Sequence, residues 1–467
     1  MKKLITSILF LAVMFSFSPI VVANSGPTYW QGYPASEIMA ISKNSPITVK
    51  NEDLIFDFSE DEESDYTTRG RVTATYKMAN PTNETLLVQM AFPFVEKLNG
   101  LTREDVVITA DDNVLPYEVY IGDAVESYGS PWQEDKETSF DFDSIVHSIT
   151  QEEYETKSFA ENEKGKLYLI NVKPTTEQRI NLAVDFDFNS EKTKVITNGF
   201  NRYERGHEKT KIAAWCDEPE VLEIFVLGTD IDFKINGFTD GNLSEETKFF
   251  TYQISTQEVE MKPYLLEYIT TNTNAINENL VFDTQQYNLY AKALDEYFRR
   301  NMGYCSFPEL LEQAHYQRIL TLVYDVKFPP NSEKEISVSY MTTGTMDKTK
   351  TVKPLYSFNY ILNPAKNWAA FNNLNIKIIT PKQAPYLLRS SIELVKEADR
   401  MYTITLAELP EDDLTFTLYE DEQITVLDKV IGKFQNNYGY ITLIIIVAIG
   451  LIILKIRQDD GRKSLSS

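Results

Sequence analysis

Three pairs of aspartates, Asp141 with Asp143, Asp185 with Asp187 and Asp230 with Asp232, are spaced to gather oxygen ligands around a cation. Calcium takes about six to eight such ligands, and in a strand an i, i+2 spacing puts both carboxylates on one face. A solvated strand face has the same spacing, and no pair opens a calcium loop with its glycine and closing glutamate. The pairs therefore do not specify a metal. The three histidines, His147, His207 and His315, are isolated, and no HExxH sets two zinc ligands on one helix face. GxSxG, Walker A and GxGxxG are also absent, which removes the strong signatures of acyl transfer, nucleotide binding and dinucleotide binding. The many Asp and Glu residues could still supply acid–base chemistry from a scattered site, but no spacing nominates them. The reading is of a chain without a cofactor and without catalysis.

Trp30, Trp132, Trp215 and Trp368, with abundant Tyr and Phe, either pack β cores or line a groove for carbohydrate or peptide. Cys216 and Cys305 are the only cysteines. In an exported chain they can pair, and a bridge closing about 89 residues contributes up to roughly 4–5 kcal/mol in the chain-entropy model. Two separate buried thiols are the alternative, because neither stands in a CxxC or zinc-ligand spacing. Neither lies near the N-terminus, so lipid attachment there has no support. Asn83-Glu84-Thr85 and Asn242-Leu243-Ser244 fit glycosylation acceptors in a host with that machinery.

The ends of the chain set its address. Lys2 and Lys3 precede an apolar run from Leu4 to Val22, and Val21 and Ala23 stand where signal peptidase reads small residues, so cleavage after Ala23 is expected. Tyr438 to Ile456 is almost wholly apolar, and roughly 19 residues at about 1.5 Å rise span a bilayer core of roughly 30 Å. Lys455, Arg457, Arg462 and Lys463 follow, while Glu420, Asp421, Glu422 and Asp428 precede, which puts the C-terminus in the cytoplasm and the bulk of the chain outside the cell membrane. Tyr438 and Tyr440 suit the outer interface. The whole chain carries −24. Lys2 and Lys3 contribute +2 and the tail's four bases and two acids a further +2, so about −28 remains on the ectodomain. Such a surface repels phosphate backbones, and nucleic acid is not an expected partner.

Between these ends the dominant period is two, the pattern of strands with one buried face. Val72, Ala74, Tyr76 and Met78 alternate with polar residues, Asn80-Pro81-Thr82-Asn83 turns, and Leu86, Val88, Met90 and Phe92 alternate again, which predicts an antiparallel hairpin. Val106 to Ile108 and Val114 to Val119 flank Asp111-Asp112-Asn113 and predict a second. Glu60 to Asp65 reads as an exposed acidic loop. From about Val125 to Gly165 alternation stops, and Phe142, Ile145, Val146 and Ile149 suggest a helical insertion. Strands resume at Leu167 to Val172 and at Ile180 to Phe188, predicting a completed sandwich by about residue 200.

Ile212 to Cys216, Val221 to Leu227 and Ile231 to Ile235 are strand-like, Tyr287 to Arg300 is helical, and Ser306 with Glu309 forms a capping box. Ile319 to Phe328, Ile336 to Met341 and a segment from Tyr356 to Tyr419 return to strand character. The match of Val172-Lys173 and Ile180-Asn181-Leu182 with Val326-Lys327 and Ile336-Ser337-Val338 hints at duplication.

Two stretches carry a resemblance. Ser45-Pro46-Ile47 to Asp57, Val72 to Met78 and Met90-Ala91-Phe92-Pro93-Phe94 resemble the opening of an uncharacterised group of exported bacterial proteins with β-rich ectodomains. This opening is also similar to the vault and inter-alpha-trypsin type of β-domain. Tyr360 to Trp368, with Asn363, Pro364 and Trp368, and Leu374 to Ile378 resemble a later segment of the same group. Together they cover about a fifth of the ectodomain. The resemblance implies topology and no activity, and the long insertions at 125–165 and 258–315 depart from its compact form. Read physically, Asn363-Pro364 is a helix-disfavouring turn and Trp368 seals a core edge, with surface binding by this segment the alternative.

The expected fold is mostly β, with two antiparallel β-sandwich units, open to duplication, helical insertions and one C-terminal transmembrane helix. Its parts are a signal peptide over 1–23, a β-sandwich with helical insertion over 24–205, and a second β-rich region with helical insertion and C-terminal β segment over 206–424. A tether over 425–437, a membrane helix over 438–456 and a cytoplasmic tail over 457–467 complete it. The expected function is a non-catalytic, single-pass cell-surface protein that binds an extracellular ligand or a membrane protein. An accessory or sensor subunit of a membrane complex is the alternative, and an exported enzyme ranks below both.

Overall fold

The computed structural model describes residues 28–42, 44–60, 66–99, 101–125, 142–149, 152–206, 209–272 and 280–436. The signal segment, the acidic loop at 61–65, Trp132, Asp141, His207, the membrane span and the tail lie outside them. Among the described residues no helix is long and apolar enough to cross a membrane.

The chain is mostly β, as its alternating runs require, but its strands pair across far greater sequence distances than those runs suggest. One sheet runs Tyr29–Trp30, Thr345–Asp347, Leu355–Ile361, Ala35–Ser36, Leu86–Glu96, Arg318–Phe328, Glu118–Ala124, with Leu414–Tyr419 and Tyr386–Ser390 added beside Leu355–Ile361. Its facing sheet runs Val395–Ala398, Met401–Leu406, Leu374–Ile379, Thr48–Asp57, Arg69–Asn80, Ser332–Thr343, Val106–Ala110, Asn113–Val114. Phe56 and Phe58 of the second sheet meet Phe358, Tyr360 and Phe416 of the first at ring separations of 4.5 to 6.3 Å. The core of this large sandwich therefore joins the two ends of the described chain.

A smaller sandwich is inserted between them. Phe250–Glu260, Lys164–Pro174, Glu220–Gly228, Thr193–Asn198 and Tyr304–Ser306 form one sheet, and Arg202–Gly206, Lys209–Cys216, Ile180–Asp187, Phe233–Phe238 and Glu246–Thr247 the other. Tyr168, Ile170 and Val172 pack against Leu182, Val184 and Phe186 inside it. The helices Met261–Asn272 and Asp283–Arg300 fill the space beside it. Tyr287, Tyr290, Leu294 and Phe298 bury one face of the longer helix, the three-to-four spacing of an amphipathic helix. Ser306 and Glu309 form the expected box, the Glu309 carboxylate accepting from the Ser306 N–H at 3.3 Å and its hydroxyl at 2.7 Å. Phe142–Ser148 is helical, with Ile145 buried.

These pairings correct the expected topology. Arg69–Asn80 and Leu86–Glu96 are not a hairpin. They lie in facing sheets, and each pairs with a strand near residue 330, Arg69–Asn80 with Ser332–Thr343 and Leu86–Glu96 with Arg318–Phe328. Asn80 explains the corner, because its side-chain amide donates to the carbonyls of Glu84, Phe328 and Pro329 and so holds the turn against the partner turn. The second hairpin is short: Asp111 and Asp112 take left-handed φ of 48° and 62°, which aspartate tolerates, and only Ala110↔Asn113 and Thr109↔Val114 pair before the chain crosses to the other sheet.

No sandwich is complete by residue 200, and a partition into 24–205 and 206–424 divides the Arg202–Gly206 and Lys209–Cys216 pair. The strand pairs that suggested duplication both cross between facing sheets. Arg69–Asn80 to Leu86–Glu96 does the same, so the likeness is that of a sandwich corner. The expected tether is a helix, Val426–Asn436, started by Thr425, whose N–H and hydroxyl donate to the Asp428 carboxylate while its oxygen accepts the Asp428 N–H.

Candidate functional site

A groove of about 600 Å³ opens at one end of the large sandwich. Its outer wall begins with Tyr29–Trp30, held antiparallel to Thr345–Asp347. Gly32 lets this segment press on the Thr343–Thr345 backbone, since a Cβ there would lie 2.4 Å from the Thr343 carbonyl oxygen. Trp30 stacks on Tyr66 with ring centres 5.3 Å apart, and both remain more than 40% exposed. Phe94, Val95 and Tyr340 contribute apolar surface, and Arg69, Glu96, Lys97, Asn99 and Asp105 contribute charge and amides.

Two lining amides stand out. The Oε1 atoms of Gln31 and Gln317 are buried and accept no hydrogen bond from the protein. A buried acceptor without a donor costs about 1–3 kcal/mol, so these two positions are places where the wall is short of a donor, although neither oxygen is open to the groove. Glu96 reaches solvent, yet crowding by the groove walls raises its carboxyl pKa. The Lys97 N–H, 2.9 Å away, opposes that rise, the nearby Asp105 adds to it, and the charges of Lys97 and Arg69 oppose it. Asp105 is held by the N–H and hydroxyl of Thr102 at 2.6 and 3.0 Å. Burial, followed by the Glu96 charge, raises the Tyr33 phenol.

Behind the groove lies a second constellation that the sequence reading did not single out. Glu37 and Glu52 are both fully buried between the sheets, and the Tyr76 hydroxyl donates to Glu37 Oε2. Burial raises the Glu37 carboxyl to about 7, and the polar side chains of Glu52, Tyr76 and Tyr360 around it limit that rise. Burial and then the Glu37 charge push Glu52 well above the usual carboxylate range. Tyr340 feels both carboxylates and also lines the groove. Both carboxyls are raised by burial in a closed core, so they are no general acid for a substrate in the groove. A signal for Glu52 was present: it is in phase with Leu54, Phe56 and Phe58, whereas a bulge after Val49 is what lets Val49 face inward too. Glu37 lies in the wholly buried stretch Ala35–Ala40, where no alternation marks it.

Of the tryptophans, histidines, cysteines and paired aspartates singled out from sequence, Trp30 is the one among the described residues that lines the groove. Trp368 is buried and its indole N–H donates to the Ile38 carbonyl at 3.3 Å, so it seals the core and is closed to surface binding. Asn363 and Pro364 open a 3-10 turn, Asn363–Asn367, with Pro364 in the first turn, where its missing N–H is harmless. Cys216 and Cys305 are free buried thiols in separate cores and are not brought together. Burial pushes the Cys216 thiol up to about 12 and raises Cys305 as well, which keeps both protonated. Asp185 pairs with Lys211 at 3.3 Å, and Asp230 holds Lys166 at 2.7 Å and the Tyr168 hydroxyl at 2.6 Å. Among the described residues no three His, Cys, Asp or Glu side chains group as metal ligands.

No family model matches the chain, and no curated protein matches it. A crystal structure of a candidate nutrient binding protein from Legionella pneumophila is similar over 84% of this chain and 72% of its own, at 10% identity and a TM-score of 0.34. A TM-score of that size transfers neither fold nor role.

Proposed function

We propose that this chain is a non-catalytic binding protein of the cell surface, exported by its N-terminal segment and anchored by residues 438–456. Its groove takes a neutral, hydroxyl-rich ligand of the saccharide class. The observation that carries this reading is the exposed Trp30 ring, stacked on Tyr66 at the mouth of a groove lined by amides and by charges of both signs. Sugar hydroxyls donate to amide oxygens, and the C–H face of a pyranose covers an indole. The opposite charges lining the groove give no preference for a strongly charged ligand.

The test is titration of the full chain with a panel of soluble oligosaccharides, followed by tryptophan fluorescence and calorimetry. Saturable binding is expected for at least one member, and Trp30→Ala should weaken it by about tenfold, or about 1.4 kcal/mol. A panel with no saturable binder, or binding unchanged by Trp30→Ala, refutes the groove reading.

Glu96 favours a second reading, because a carboxyl whose pKa is raised by burial in a concave site is suited to general acid work. On this reading the exported enzyme is a hydrolase of the same ligand. Products should then accumulate on incubation of the bound oligosaccharide, and Glu96→Gln should lower their rate by about 100-fold. With binding alone no products form, and Glu96→Gln changes affinity only.

A further inference from the structure

The strand Phe250–Glu260 is the edge of its sheet and the most exposed long strand among the described residues. Its inner edge pairs with Lys164–Pro174 from Lys164↔Glu260 to Pro174↔Phe250, and among the described residues no strand occupies its outer edge. Every residue from Thr251 to Glu258 is exposed. Phe249, Tyr252 and Ile254 are 52%, 48% and 39% accessible.

Natural sheets protect such edges with lysines, prolines, bulges or shortness. Here none is present from Phe249 to Gln257, nine uncharged residues in a chain that is 24% charged. We propose that this edge pairs antiparallel with the same strand of a second copy, giving a two-fold dimer through a continuous ten-stranded sheet.

Symmetry and charge choose the register. An antiparallel edge pair related by a two-fold axis normal to the sheet keeps each residue on its own face, so the axis must pass through a residue position. Centred on Ile254, Tyr252 stands opposite Thr256 of the other copy, an aromatic with a β-branched residue. No like charges oppose one another within the strand. Continuing the register sets Lys248 opposite Glu260. Centring on Gln253 would aim Lys248 at Glu258, which Lys164 already holds at 3.1 Å, whereas Glu260 has no ion pair among the described residues. The exposed Ile254 then meets its own copy and both leave water.

The test uses the full chain. Directly opposed residues of antiparallel strands have Cα atoms about 4.5–5.5 Å apart, within the roughly 4.4–6.8 Å that a disulfide spans. Ile254→Cys should therefore oxidise to a species of doubled mass, while Leu87→Cys, 69% exposed on the other sandwich, should not. Ile254→Lys and Ile254→Glu should each weaken self-association about tenfold, and mixing the two variants should restore the dimer, with unchanged melting temperatures showing that the fold is intact. A monomeric wild type, equal crosslinking at both cysteine positions, or an Ile254→Lys protein as dimeric as wild type overturns the proposal.

Discussion

Replacing Phe416 with alanine should destabilise the large sandwich by about 3–5 kcal/mol, a sizeable part of the roughly 5–15 kcal/mol that holds a typical domain folded. Phe416 is 2% exposed and sits at the centre of an aromatic cluster, 5.2 Å from Phe56, 6.3 Å from Phe58 and 5.0 Å from Phe358. The void left by its ring is walled by two sheets tied by strand pairing, which limits collapse and keeps the cavity cost high. Phe56 and Phe58 belong to the first strands of the chain and Phe416 to the last strand, so the damage should appear in both. Thermal unfolding followed by near-ultraviolet circular dichroism should show a midpoint lower on the order of 10 °C. Hydrogen exchange should show residues 48–57 losing protection together with 414–419. Protection lost only at 414–419 would mean that the two ends are not one cooperative core.

Glu52→Gln should stabilise the protein at pH 8 and leave it nearly unchanged at pH 4.5. The native Glu37 and Glu52 pair keeps a proton that the unfolded chain, with ordinary carboxyls, has already released. Unfolding therefore releases protons across this window, and raising the pH favours it. The wild-type stability linked to this pair is fully present below the unfolded carboxyl value of 4.5 and is lost as pH rises through about 7. At about 1.4 kcal/mol per pKa unit the Glu37 shift alone accounts for a loss on the order of 3 kcal/mol by pH 8, and the raised Glu52 adds to it. A glutamine at position 52 removes the Glu52 part of the loss and its charge beside Glu37, while burial still raises Glu37, so the variant should lose less stability than the wild type as the pH rises. Denaturant titrations of both proteins from pH 4.5 to 8 measure it as a divergence of the two stability curves. Parallel curves would mean that the pair is not proton-linked to folding. The carboxylates held low by partners, such as Asp111 beside Lys334 and Asp230 beside Lys166 and Tyr168, act in the opposite sense below about pH 4, and they cancel in the difference.

Much of the local structure was legible. The alternation through Val72–Met78, Leu86–Phe92 and Ile180–Phe188 marks strands because one face of each is buried. The three-to-four spacing of Tyr287, Leu294 and Phe298 marks a helix for the same reason, and Ser306 with Glu309 marks its neighbour's start. The partners were not legible. A period of two reports that a face is covered and carries nothing about which strand lies on either edge, so Arg69–Asn80 followed by a proline turn reads equally as a hairpin or as a corner between sheets.

The candidate site divides the same way. Trp30 was visible as an aromatic with two readings, core or groove, and its exposure decides between them. Gln31 and Gln317 carried no signal at all, because an amide becomes an orphan acceptor only when two segments nearly 290 residues apart enclose it without supplying a donor. Glu52 could have been found from its phase with Leu54 and Phe56. Its pairing with Glu37 could not, since that depends on the buried segment Ala35–Ala40 lying between Leu86–Glu96 and Leu355–Ile361.

By itself the sequence determined the strand-rich class, the long helix Asp283–Arg300 and the acidic, motif-poor character, because each follows from residue type and near-neighbour spacing. Only the tertiary structure decided that the large sandwich closes from both ends of the described chain around an inserted smaller one, that the two cysteines stay apart, and that two glutamates are buried in one core. Those outcomes depend on which buried faces meet, and apolar faces attract without direction. The choice among partners is made by the whole packed core.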